Sequence, residues 1–348
     1  MARDTRLGNK DELEAFQETL FRAIQSSHLN FLLGAGASCP GVAPAGQVES
    51  DILELLKAEK VREADKKTIQ FLKQFKQPMS ELLGEDRSDN VGKSLRHYVD
   101  FVQTIDILLS ERKTNLLPRQ ASIFTTNYDL FIECASEQCP SILLNDGFNR
   151  VPSLNNLHKF APERLFDATH HTGNHYDYTA ELPSINLIKL HGSMTWERQG
   201  NDVVYRVMDF DKVSATKEDD AKAVATTLQS VAIVLPTQRK FQQTIIERTY
   251  YDLLRIFANV MERENSLLIA FGFSFRDEHI LEIVKRALRN PTLKLIICCY
   301  ATDEVEELQQ KFASYNNVGL LIPETTGQLD FPRLNSLLRA VGPPKVPT

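Results

Sequence analysis

One alternation constrains the fold of this chain more than any other feature. Short, mostly apolar runs occur at residues 29–33 (LNFLL), 122–125 (SIFT), 185–190 (INLIKL), 232–235 (AIVL), 266–271 (SLLIAF) and 293–299 (LKLIICC). Each is long enough for a strand, too short for a helix, and apolar on both faces, which is the pattern of a strand buried from both sides. Helical patterns separate most of them, at 10–27, 47–58, 128–138, 241–263, 277–289 and 303–314. In the first, Leu13, Phe16, Leu20 and Ile24 fall on one face; in the second, Val48, Ile52, Leu55 and Leu56 do so. Strands alternating with helices predict an α/β fold: a Rossmann-like parallel sheet with helices on both faces.

Residues 61–113 interrupt the alternation. They are charged and helical, with breaks near Pro78 and Gly84, and longer than an ordinary connection. The reading is therefore residues 1–60 as the first part of the sheet domain, 61–118 as a helical insertion or subdomain, 119–340 as the remainder, and 341–348 as a tail, frayed over GPPKVPT. Ile69, Leu72, Leu82, Leu83, Val99, Phe101, Ile105, Leu108 and Leu109 give the insertion an apolar face. It either covers the sheet or meets a second copy of the chain, and the expectation is a homo-oligomer.

Composition narrows the function classes. With 348 residues, 42% apolar and 25% charged, the chain reads as an ordinary globular protein of one large or two smaller domains. The formal net charge of −6 does not indicate nucleic-acid binding. No apolar run is long enough to span a bilayer, and MARDTRLGNKDELEAF lacks the apolar core of a signal peptide. Cys39, Cys134, Cys139, Cys298 and Cys299 form no paired framework, which suits a reducing cytoplasm; Cys298 and Cys299 read as core residues of a strand.

The ends of the apolar runs carry the chemistry. Run 29–33 leads into Gly34-Ala35-Gly36-Ala37-Ser38, small residues that let a backbone approach a ligand closely. A strand, such a loop and a helix make a phosphate cradle from bare N–H groups; Cys39 stands where a full dinucleotide fingerprint has its third glycine, and a tight packing turn is the alternative. Run 122–125 ends in Thr125-Thr126-Asn127-Tyr128-Asp129, run 185–190 in His191-Gly192-Ser193, and run 266–271 in Gly272-Phe273-Ser274-Phe275. In an open parallel sheet those ends converge on one crevice. Asn127 and Ser274 are also good helix caps, but four polar strand ends together are harder to explain as capping.

The set GAGAS, TTNYD, LHGS and GFSF, in this order over residues 29–300, resembles a sirtuin-type NAD-binding domain. Thr126 stands where sirtuins carry Gln, and their Gly-Ile-Pro-Asp-Phe-Arg run is loosened to Gly41-Val42-Ala43-Pro44. No Cys-x-x-Cys pair lies between His191 and Gly272, so the zinc ribbon of deacylase sirtuins cannot be built and no zinc is expected. The run Gly272-Phe273-Ser274-Phe275-Arg276-Asp277-Glu278-His279-Ile280 is similar to that of the divergent sirtuin-like proteins of bacterial anti-phage defence. That resemblance implies NAD as a substrate that is hydrolysed, and for some relatives a partner ATPase of the HerA type.

On this reading NAD is split into nicotinamide and ADP-ribose through an oxocarbenium-like transition state. Asn127 orients ribose hydroxyls or a water, and His191 takes a proton near neutral pH. Gly34, Ala35, Gly36, Ala37 and Ser38 cradle pyrophosphate, with Gly272, Phe273 and Ser274 beside them. Ser38 and Ser274 meet phosphate or adenosine ribose, and Ser193 is a further candidate. Asp129 binds ribose or the nicotinamide amide, or caps the next helix. The alternatives are a non-catalytic NAD or ADP-ribose sensor and a protein deacylase, with a dehydrogenase further off. His170, His171, His175 and Asp177 cluster in sequence without ribbon or helical ligand spacing, so no metal site is assigned.

Overall fold

The computed structural model describes residues 4–44, 46–112, 114, 116–150, 157–173, 179–200, 202–233 and 244–340. The strands among them are β1 Thr5–Arg6, β2 His28–Leu33, β3 Gln120–Thr125, β4 Leu143–Asn145, β5 His170–Thr172, β6 Thr179–Glu181, β7 Ser184–Lys189, β8 Gly192–Gln199, β9 Asp202–Tyr205, β10 Val231–Ile233, β11 Ser266–Phe271, β12 Lys294–Cys298 and β13 Val318–Ile322. The helices are α1 Lys10–Ser26, α2 Gly46–Lys57, α3 Val61–Gln74, α4 Lys76–Leu83, α5 Asp89–Ser110, α6 Phe131–Glu137, α7 Phe210–Ala215, α8 Ala221–Ser230, α9 Thr244–Met261, α10 Glu278–Ala287, α11 Val305–Phe312 and α12 Phe331–Arg339.

Eight strands form one sheet in the order β1-β13-β12-β11-β2-β3-β7-β4, and every pairing in it is parallel. From β2 the chain builds outward through β3 to β7. It then returns to the other side of β2 and builds outward again through β11, β12 and β13. The order reverses between β2 and β11, and that is the switch point at which doubly wound sheets place their ligands.

Period-two alternation divides the strand residues between two cores. Phe31, Leu33, Ile123, Leu187 and Ile269 face one side, with helices α1, α5, α6 and α12; Leu32, Phe124, Ile188 and Leu268 face the other, with α9, α10 and α11. Cys298 and Cys299 are core residues as expected, one on each face. Eight strands with helices on both sides are the predicted Rossmann-like α/β fold.

The run at 232–235 behaves differently from the others. Its described part, β10, pairs antiparallel with β8 in a separate sheet of order β10-β8-β9. Residues 234 and 235 lie outside the described residues, as do 241–243 of the predicted helix, His175, Asp177 and the tail. A buried apolar run fixes burial and leaves the partner open, which is why its sequence resembles that of the central strands.

Residues 61–110 fold as α3, α4 and α5. The chain breaks at Phe75 and Gly84, and Pro78 sits in the first turn of α4, where its missing N–H is not needed. Of the nine apolar residues that suggested a second copy, Leu83 is exposed and Val99 partly buried. The other seven are buried within this chain. The face is therefore turned inward over the sheet. Among the described residues no helix is long and apolar enough to cross a membrane.

Candidate active site

Four neighbouring strands finish level with one another. Phe271 of β11 is paired with Leu33 of β2, Leu33 with Thr125 of β3, and Thr125 with Lys189 of β7. Every predicted site residue follows this row within a few positions, so the register itself brings GAGAS, TTNYD, LHGS and GFSF to one edge.

The glycines are explained first by one another. The Gly36 N–H donates to the Gly272 carbonyl at 3.1 Å, and a Cβ on Gly34 would lie 2.3 Å from that oxygen. A Cβ on Gly272 would fall 2.5 Å from the Ala37 nitrogen, and Gly272 has φ +62°. The two loops are in backbone contact that no side chain fits. Behind them the chain makes only a four-residue 3-10 turn, Ala35–Ser38, and α2 begins later at Gly46. The helix predicted at 47–58 is present as α2, but it starts eight residues after Ser38, and the turn next to the loop is too short for an appreciable dipole. Ala35 is half-buried and Gly36 exposed, so this part of the loop faces outward.

Ser38 lies beneath the loop, 1% exposed, at the hub of a closed network. Its hydroxyl donates to Asp129 Oδ2 at 2.6 Å and accepts from Asn127 Nδ2 at 3.0 Å. The Tyr98 hydroxyl, 2.9 Å away, supplies the third bond. A serine hydroxyl has one proton and two lone pairs, so Ser38 is saturated, and its predicted direct contact with phosphate or ribose has no atom left to serve it. Burial pushes the Tyr98 hydroxyl well above its usual range, which keeps it protonated and donating. Asn127 donates a second time, to the Gly34 carbonyl at 2.9 Å, tying the end of β3 to the start of the glycine loop. Asp129 also holds the approach to α6: its Oδ1 accepts from the N–H of Phe131 at 3.3 Å, while the cap position itself is Leu130. Burial raises the Asp129 carboxyl above its ordinary value, against the opposing pull of Lys189 and Ser38.

Lys189, at the end of β7, is 3% exposed and pairs with Glu133 Oε1 at 2.8 Å. It also donates to the Asp129 carbonyl and, at 3.1 Å, to Ser193 Oγ. Ser193 is thereby buried in the support of the site rather than in the crevice. Burial raises the Glu133 carboxyl, and its Oε2 is buried without a hydrogen-bond partner. Sequence reasoning passed over Lys189 and Glu133; the one available signal was a lysine inside an otherwise apolar strand.

His191 stands on the turn from β7 into β8. That turn needs Gly192, which has φ +85° and whose Cβ would meet the Ala232 carbonyl at 2.2 Å. The His191 ring lies between Tyr128 and Tyr250, at centroid distances of 6.4 and 6.3 Å. Its Nε2 is 3.0 Å from Asp277 Oδ2. β7 and β11 are three strand spacings apart, about 14 Å. The segments that follow them therefore lean toward each other across the ends of β2 and β3 to make this contact. Phe273 is half-buried, with its ring 5.0 Å from Phe275, and Ser274 is exposed. His170 and His171 sit on exposed β5, in the separate β5–β6 ribbon.

A parallel sheet of this order, with polar residues gathered at its switch point, defines a doubly wound α/β protein of the nucleotide-binding kind. Residues 121–320, more than half of the chain, match the family model of the SIR2-like domain, and the chain belongs to that family. SIR2-like domains bind NAD, and the family is in general one of NAD-dependent enzymes. The match includes Asn127, Asp129, His191, Gly272, Phe273 and Ser274; Gly34–Ser38 lie before it and reach the site through the β2–β11 pairing. A comparison with curated proteins found no match.

Proposed function

We propose that the protein hydrolyses NAD, breaking the bond between nicotinamide and ribose. The observation that carries this reading is the level row of strand ends, which sets the Asn127 network and His191 on adjacent strands beside an outward-facing glycine loop. Nicotinamide leaves with the bonding electron pair and is neutral once free. The ribose carbon is left electron-poor and is attacked by water. His191 accepts a proton from that water or from a ribose hydroxyl. Asn127, held rigid by its two donated bonds, orients ribose or water. Backbone at Ala35 faces the pyrophosphate, and Gly36, whose N–H already serves the Gly272 carbonyl, leaves room for it, while Ser38 and Asp129 hold that backbone from below. Phe273 and Ser274 lie on the flank where the rest of the nucleotide is placed.

The motif resemblance extends the proposal to an anti-phage effector that depletes NAD when triggered, acting in the cytoplasm, self-associated or joined to a HerA-type ATPase. The sensor reading draws on a specific observation too: both donors of Asn127 and one nitrogen of His191 are already engaged within the protein.

The test is the product spectrum with NAD, alone and with the genomic neighbour. Nicotinamide and ADP-ribose are expected, and His191→Ala should lower turnover by about two to four powers of ten with NAD still bound. Binding without cleavage under activating conditions selects the sensor instead.

A further inference from the structure

We infer that Asp277 is a positioning residue that selects the tautomer of His191, keeping the ring proton on Nε2 and leaving Nδ1 as the basic nitrogen. The inference rests on the NAD-cleaving reading for its effect on rate, but its geometry stands apart from it.

The two oxygens of Asp277 have different duties. Oδ1 accepts from the Ile280 N–H at 3.1 Å and caps α10. Oδ2 faces His191 Nε2 at 3.0 Å. A carboxylate only accepts, so the proton between them belongs to Nε2. Among the described residues no partner is recorded for Nδ1. The helix cap fixes the carboxylate, and the carboxylate fixes the ring. Burial raises the Asp277 carboxyl, but the His191 hydrogen bond and charge, the Ile280 N–H and the charge of His279 outweigh it and leave it below its ordinary value. It therefore stays ionised and accepting near neutral pH. The other titratable groups around this pair are Tyr128 and Tyr250, whose rings flank the imidazole, and Tyr251 next to Tyr250. Burial raises the Tyr250 hydroxyl, with Asp277 adding to the effect, so Tyr250 brings no competing charge.

Asp277→Asn makes the inference sharp. The cap claims the single amide oxygen, because asparagine caps as well as aspartate does. The amide NH2 then faces Nε2 and donates to it, which forces the ring proton onto Nδ1. Loss of the correct tautomer at unchanged geometry is known to disable histidine bases in hydrolases.

The experiment is nitrogen-15 NMR of the full-length protein at a pH where the ring is neutral, with His191→Gln identifying the His191 signals among the eight histidines. The wild type should show the Nε2–H form and Asp277→Asn the Nδ1–H form. Nicotinamide release by Asp277→Asn should fall by about two to four powers of ten in kcat, with KM for NAD little changed. An unchanged tautomer overturns the inference whatever the rates. A switched tautomer with undiminished turnover overturns the positioning role. If the tautomer switches while the activated wild type releases no nicotinamide, the tautomer selection is upheld and the hydrolase reading fails.

Discussion

Two polar clusters share one edge of the sheet and are built on opposite principles. Around Ser38 buried groups are tied to one another, from the Tyr98 hydroxyl through both donors of Asn127 to Asp129. Around His191 the side chains keep 15% and 22% of their surface, and a single hydrogen bond joins His191 to Asp277. The first arrangement makes a rigid wall, because an unpaired group in the interior is costly. The second leaves an imidazole that still reaches solvent. Chemical availability in this site thus follows incomplete satisfaction, while shape follows complete satisfaction.

Substitutions can break that contrast in graded steps. Lys189→Met should have the largest effect on stability. It leaves Glu133 buried and unpaired, and losing one member of such a pair costs about 3–5 kcal/mol. The sign of its pH dependence is fixed: burial raises the Glu133 carboxyl in the folded state, so the folded state binds its proton more readily than the unfolded chain does. Stability of the variant should therefore recover as pH falls through the folded-state value toward the unfolded one, and stay at its lowest, without further change from this group, above the folded-state value. Urea titrations at several pH values would show this, and adding Glu133→Gln should restore much of the loss.

Ser38→Ala comes next, at about 1–3 kcal/mol, since Asp129, Asn127 and Tyr98 each lose a partner at once. Calorimetric melting would measure it, and NAD affinity should drop as the glycine loop loosens. Tyr98→Phe removes only one of those bonds and should cost about 0.5–1.5 kcal/mol. In the partly buried cluster around His191, Asp277→Asn should shift stability by less than about 1 kcal/mol, because the cap survives and the amide still makes one hydrogen bond to the ring. A melting loss at Asp277 as large as that at Ser38 would erase the distinction between the two clusters.

Much of this was legible in the sequence because strand ends in parallel sheets are informative places. The apolar runs at 29–33 and 266–271 became β2 and β11 within one residue, since burial on both faces leaves little choice of residue type. β13 and α12 were missed. Val318–Ile322 is five residues long and includes a glycine, and one of its neighbours, β1, comes from the opposite end of the sequence. The separate sheet was missed because pairing direction is set by the turn at Gly192 and by Ala232 packed against it. The helix predicted from 277 begins one residue later, with Asp277 as its cap, and the second Asp277 oxygen acts on a residue 86 positions earlier, of which local patterns carry no trace. Gly36 lies at the edge where the strands end, but the sequence did not show that its small size serves the Gly272 backbone.

The place of β2 in the sheet also sets a clock on synthesis. β2 leaves the ribosome early, yet one of its two flanking strands, β11, emerges more than two hundred residues later. At about 5–20 residues per second, that interval is about ten seconds or longer. Until it ends, the glycine loop lacks the Gly272 backbone against which it takes shape, and His191 lacks Asp277. A stalled or truncated chain therefore carries most of the site's residues with no assembled site, and the crevice comes into being only in chains that have been translated past α10.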